Sequence, residues 1–414
     1  MASLSGSVVV NVGEEYIEKY LRSKGLSRTV AETGKEVEFW VDTLLERGQL
    51  SVDEFENFLN DELSYGKRKL IRVYEFMEYN AQNWFSELKD RFSVTSNNYS
   101  DILGVGVSLD QKLRIASIHS ETNYKGDLQW VDILFVHYAE EQTSRTLIPT
   151  RSYIPVEIDF VKRRVCIRSW NRNGLTEAFR PNVLMDKIYS IVEKVFQIKT
   201  TSKQFQRKRT LFSMSQGIVD EIYNRIPAYT QIKQLEEDIS SFEKAVLEKL
   251  DLINLRGDQK CINRNAFDLH DEIQKVLEKL IVCDFFHNIP YERVWDLGVR
   301  TIISRIRFND VEHVLTSLSG EESEMPIFCT KTFMALKKSM EDAKLVERLW
   351  VANKRERRTY KFRYDATNEM FLELMVLSNI RFNRENLQLI MEMYDAYDSE
   401  QIGGVAKQSC QCVS

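Results

Sequence analysis

Before Leu103 the apolar residues of this chain recur every three or four positions; from Leu103 onward they recur every second position. Side chains three or four apart share a helix face, and side chains two apart share a strand face. A chain with both periods in separate blocks must pack helices on sheet. In the first block, SVDEFENFLNDEL opens with Ser51 and has Glu54 three residues on, the spacing of a capping box. Phe55, Phe58, Leu59 and Leu63 then fall on one helical face. In the second block, LGVGVSL, KLRIASIH and LQWVDILFVHY alternate or run apolar between turn residues. A hairpin follows, PVEIDF and VCIRSW joined by VKRR. Val156, Ile158 and Phe160 are expected on one face of it, Glu157 and Asp159 on the other. NVLMDKIYSIVEKVF then returns to the helical period.

The helical period dominates again over residues 202–286. Ile232, Leu235, Ile239, Phe242, Val246, Leu250 and Ile253 step by three and four, as in a coiled-coil seam. Ile218, Ile222 and Ile226, then Leu269, Ile273, Val276 and Leu280, offer apolar faces within the same chain. An intramolecular helical hairpin is therefore preferred to an interchain seam. Residues 298–397 are mixed. VRTIISRIRF, LVERLWVAN and TYKFRYD read as strands, KTFMALKKSMEDA and NRENLQLIMEMYDAY as helices. MFLELMVLS fits either period.

The expected fold is α+β, with two antiparallel-sheet units near residues 100–198 and 298–397 separated by a helical bundle. The expected divisions are a mainly helical 1–98, a sheet with helix over 99–199, and a helical bundle or coiled-coil-like hairpin over 200–290. A mixed domain at 291–400, winged-helix-like in its order of elements, and a flexible tail at 401–414 complete them.

Charge narrows the function classes. The 57 basic and 62 acidic residues leave a net charge of −5, so any polyanion must meet a local patch. No run of about 18 apolar residues exists to span a bilayer. The start, MASLSGSVVVNVGEEY, lacks a basic n-region and a long apolar core, unlike a secretory signal. A prenylation box needs Cys four from the end, where Gln411 stands. Scattered cysteines suit free thiols in a reducing compartment, and a cytoplasmic location is expected.

The densest patch is WVANKRERRTYKFRY. Lys354, Arg355, Arg357, Arg358, Lys361 and Arg363 stand there against one acid, Glu356. Tyr360, Phe362 and Tyr364 alternate with Lys361 and Arg363, which puts rings on one strand face and cations on the other. Helix, strand, charged tip and strand is also the order of a recognition helix and its wing. A second basic turn holds Lys162, Arg163 and Arg164. The plain alternative is a solvated tip whose cations only block edge-to-edge aggregation.

For catalysis the best constellation is acidic. Asp132, Glu157 and Asp159 on neighbouring strands could hold magnesium for phosphodiester cleavage. Pairing of Glu157 and Asp159 with Arg168 explains the same pattern without chemistry. Cys261, His270, Cys283 and His287 lack finger spacing and read as core thiols and helix-end histidines. No metal and no cofactor is expected. The leading expectation is a non-enzymatic nucleic-acid-binding or regulatory protein, acting on DNA or RNA through the basic hairpin. The alternatives are a scaffold pairing through residues 228–254 and a metal-dependent nuclease.

Overall fold

The structure, a computed structural model, describes residues 3–29, 34–107, 112–142, 146–250, 268–287, 290–309, 314–320, 325–356 and 358–398. Ile253, Cys261, Arg357 and the tail 401–414 lie outside them. The chain is α+β, and the strand pairs in register are antiparallel. Internal contacts divide it into two units, residues 1–207 with 362–396 and residues 208–361 with 397–414.

The first unit begins with α1 (Gly6–Val12), α2 (Glu14–Ser23), α3 (Val37–Glu46) and α4 (Val52–Ser64). The Ser51 hydroxyl accepts from the Glu54 N–H, so α4 starts where the capping pattern put it. Then come β1 (Leu70–Glu78), α5 (Trp84–Phe92), β2 (Tyr99–Ser100), α6 (Ile102–Val107), β3 (Arg114–Thr122), β4 (Leu128–Gln142), β5 (Leu147–Asp159) and β6 (Arg164–Ser169). α7 (Pro181–Val195) and β7 (Lys199–Thr200) precede α8 (Gln204–Tyr223), within which the chain enters the second unit.

Of LGVGVSL, expected as strand, Leu103 to Val107 belong to α6 instead, and Ser108 and Leu109 lie outside the described residues. The Glu56 carboxylate, on α4, accepts the Leu103 N–H at 3.1 Å and caps the short helix from 47 residues away. That tertiary cap is invisible to periodicity. The PVEIDF hairpin is as expected. Val156, Ile158 and Phe160 enter one core with Ile133, Phe135, Ile167 and α7's Leu184, Ile188 and Val192. On the opposite face Leu134, Val136 and Tyr153 pack with α1–α4.

In the second unit α9 (Pro227–Gln231) and α10 (Glu236–Lys249) pair with α11 (Leu269–His287). Tyr229 donates to Glu278 at 3.1 Å, Gln274 donates to Glu236 at 2.7 Å, and His270 lies 3.9 Å from Glu243. Partners run in opposite chain directions, so the pair is antiparallel. Ile239 is buried in it, whereas Leu235, Phe242 and Leu250 are exposed. Ile239→Asp is expected to lower the stability of this unit by several kcal/mol, because a charge would enter an apolar contact. A melting curve unchanged from wild type would show that the position is not a core one.

β8 (Thr301–Asn309), β9 (Leu315–Ser319), α12 (Lys331–Ala343) and β10 (Arg348–Arg355) follow, with strand order β10-β8-β9. β11 (Arg358–Asp365) begins in the second unit and ends in the first. The chain closes in the first unit with β12 (Phe371–Val376) and α13 (Arg384–Asp395). There the order is β2-β3-β4-β5-β6-β1-β12-β11. Among the described residues no helix is long and apolar enough to cross a membrane.

Candidate functional site

The basic tip lies between β10 and β11. Glu356 takes a left-handed conformation, φ 52°, which turns the chain sharply. Lys354, Arg355 and Arg358 on either side of it are exposed. Among the described residues no carboxylate pairs with any of the three. Lys354 lies 5.6 Å from the ring centroid of Trp295, and its N–H donates to the Arg300 carbonyl at 2.8 Å. On the same unit's strands Arg305 and Trp350 are cross-strand partners, with the guanidinium 4.6 Å from the ring centroid. Lys361 is half-buried.

The other cations expected to contact phosphate are placed differently. Arg363 donates to Glu373 at 2.6 Å. Arg164 is buried, 2.7 Å from Asp395 and 3.7 Å from Glu75. Lys162 and Arg163 are exposed at their turn, where the Lys162 N–H donates to Asp159 at 2.7 Å and Arg163 to the Met77 carbonyl at 2.9 Å. The lysines of α12 are engaged as well. Lys337 pairs with Glu278 and Glu341, and Lys338 pairs with Glu272 at 2.7 Å. The helix expected to enter a groove thus has two of its cations tied to neighbouring helical carboxylates.

The acidic constellation occupies one row across the first unit's sheet. His119, Asp132, Glu157, Cys166 and Val73 stand side by side on β3, β4, β5, β6 and β1. Arg168, fully buried, donates to Glu157 at 2.8 Å and lies 4.5 Å from the ring centroid of Tyr65. Asp159 turns instead to the Lys162 N–H. Burial pushes the Asp132 carboxyl up to about 8, against the pull of Arg168 and with the push of Glu157. Burial also raises the Cys166 thiol to about 12. Among the described residues no group of three or more His, Cys, Asp or Glu side chains is placed to hold a metal ion.

Two cavities open on this row. One, of about 240 Å³, is lined by Glu157, Asp159, Arg164, Cys166 and the side of α13. The other, of about 430 Å³, is lined by the end of α4, Asp132, and residues Arg381 to Glu385. Arg384 lines both and lies 5.3 Å from the Trp130 ring centroid. Sequence reading missed Arg381, Arg384 and His119. A local signal existed for Arg384. It opens a helix whose cap is Asn383, where the macrodipole disfavours a cation.

No family model matches the chain, and no curated protein is significantly similar to it.

Proposed function

We propose that the protein binds nucleic acid, DNA or RNA, without catalysing a reaction on it, through the cationic tip between β10 and β11. The observation that carries this reading is the crowding of Lys354, Arg355 and Arg358, exposed and, among the described residues, without carboxylate partners, about one sharp turn. Three uncompensated cations so close together gain most by meeting phosphates, which release counterions when neutralised. Trp350 beside Arg305 adds a ring and a further exposed cation to the same unit, the pairing on which unstacked bases rest. Because Lys337 and Lys338 are tied to glutamates, the contact is to backbone and carries little sequence preference. A nuclease centre is less favoured, since Arg168 already takes the charge of Glu157.

Changing Lys354, Arg355 and Arg358 together to Ala is the test. Each lost phosphate contact lowers the magnitude of the log K against log salt slope by ~0.9, so it should shrink by roughly 3. Affinity should fall alike on every sequence. Melting should barely move, because exposed substitutions usually stay within ~0.5 kcal/mol each. An unchanged slope in a folded variant would remove the tip from the binding surface.

A further inference from the structure

The unit that holds the basic tip also carries an open sheet face. The register of β10, β8 and β9 sets two cross-strand rows on that face, Trp350, Arg305 and Ser319 in one and Arg348, Arg307 and Ser317 in the other. The opposite face is the packed one, where Ile306, Phe308 and Leu349 are buried. On the row face Arg305, Ser317 and Ser319 are exposed, and Trp350, Arg307 and Arg348 are half-buried.

Arg305 and Trp350 form a platform there. The guanidinium lies over the ring, 4.6 Å from its centroid, and reaches the Ser317 hydroxyl at 3.5 Å. Among the described residues no carboxylate pairs with Arg305, whereas Arg307 lies 3.3 Å from Glu347. A half-open ring adds little to phosphate binding. It suits the flat face that every base carries, and an aromatic ring with an arginine beside it is a stacking surface for unpaired bases. A duplex keeps those base faces stacked inside and is read through its grooves, most often by a helix. The α12 cations Lys337 and Lys338 are held by glutamates. Trp350 and Lys354 stand on the same strand, β10. Their separation along it is ~13 Å at ~3.3 Å per residue. One strand of nucleic acid can therefore meet the tip with its phosphates and the platform with a base.

We propose that the nucleic acid bound through the tip is single-stranded, with one of its bases stacked on the Trp350–Arg305 pair. This rests on phosphate contact at Lys354, Arg355 and Arg358, and adds the class of ligand and the residue that selects it. Stacking tolerates any base, so the preference is for strand state and not for sequence.

The test is fluorescence anisotropy of the full chain with labelled oligonucleotides of one length: single-stranded DNA, single-stranded RNA, duplex DNA and an abasic DNA strand. The abasic strand keeps the phosphates and lacks the bases. At least one single strand with bases should bind about tenfold tighter than the duplex and the abasic strand. Trp350→Ala should weaken that single strand by about tenfold or more. It should leave duplex and abasic affinities and the salt slope unchanged. Trp350→Phe, which keeps a ring, should recover most of the loss. Should the Ala variant fail to fold, the wild-type comparison of single, duplex and abasic strands decides alone. A duplex or abasic strand bound as tightly as the single strand would overturn the proposal and leave phosphate contact at the tip standing. Undiminished single-strand affinity in a folded Trp350→Ala variant would do the same. Failure of every oligonucleotide to bind would remove the tip contact and the stacking together.

Discussion

Glu157→Leu is expected to lower the stability of the first unit by about 3 kcal/mol, the lower end of the ~3–5 kcal/mol range for breaking a buried ion pair. Arg168 is fully buried, and its Nη1 donates to Glu157 at 2.8 Å. Without Glu157 the guanidinium keeps its desolvation cost and loses its main compensation. The lower end applies because Asp132, next in the row, sheds the push of Glu157 and ionises more readily. For a unit of this size ~3 kcal/mol moves Tm by roughly 6–12 °C. The double variant Glu157→Leu with Arg168→Met should recover most of the loss, since apolar replacement of a whole buried pair is often neutral. A single variant that melts with the wild type would mean that the pair contributes nothing.

The second large effect is a pH dependence at Asp132. Its carboxyl titrates near 4 in an unfolded chain and is pushed up to about 8 by burial in the fold. Between those values the folded protein holds a proton that the unfolded chain has released. The contribution of this group is therefore full below about pH 4 and is lost as pH rises through about 8. Asp132→Asn cannot ionise. Measured without added ligand, the variant should match wild type near pH 4 and gain on it at up to ~1.4 kcal/mol per pH unit. The gain should level off above about pH 8. Chemical denaturation of both proteins across this range gives the difference curve, in which other carboxylates cancel. A difference independent of pH would show that Asp132 titrates normally.

The elements legible in the sequence are those whose signal is local. Ser51 and Glu54 mark the start of α4 without help from elsewhere. The alternation of Val156, Glu157, Ile158 and Asp159 gives both the β5–β6 hairpin and the face each side chain takes. What could not be read depends on partners distant in the chain. β1 pairs with both β6 and β12, whose residues lie about 100 and 300 positions away. MFLELMVLS, ambiguous by period, is fixed as β12 by that pairing. The site followed the same rule. Asp132, Glu157 and Asp159 could be named from strand spacing, but Arg381 and Arg384 reach the cavity at Asp132 only through the packing of α13's start. Nor could spacing show that Arg164 and Arg363, equal to their basic neighbours in sequence, would meet carboxylates.

Binding of labelled single- and double-stranded DNA and RNA to the wild-type protein, followed across a salt titration with and without magnesium, tests nucleic-acid binding most directly. Contact through the tip predicts detectable binding near ~50 mM salt and log K falling linearly with log salt at a slope of about −3 or steeper. It also predicts oligonucleotides that stay intact whether or not magnesium is present. Failure to bind any of the four at ~50 mM, where phosphate contacts are strongest, would contradict it and leave Lys354, Arg355 and Arg358 as the solvated tip of a hairpin.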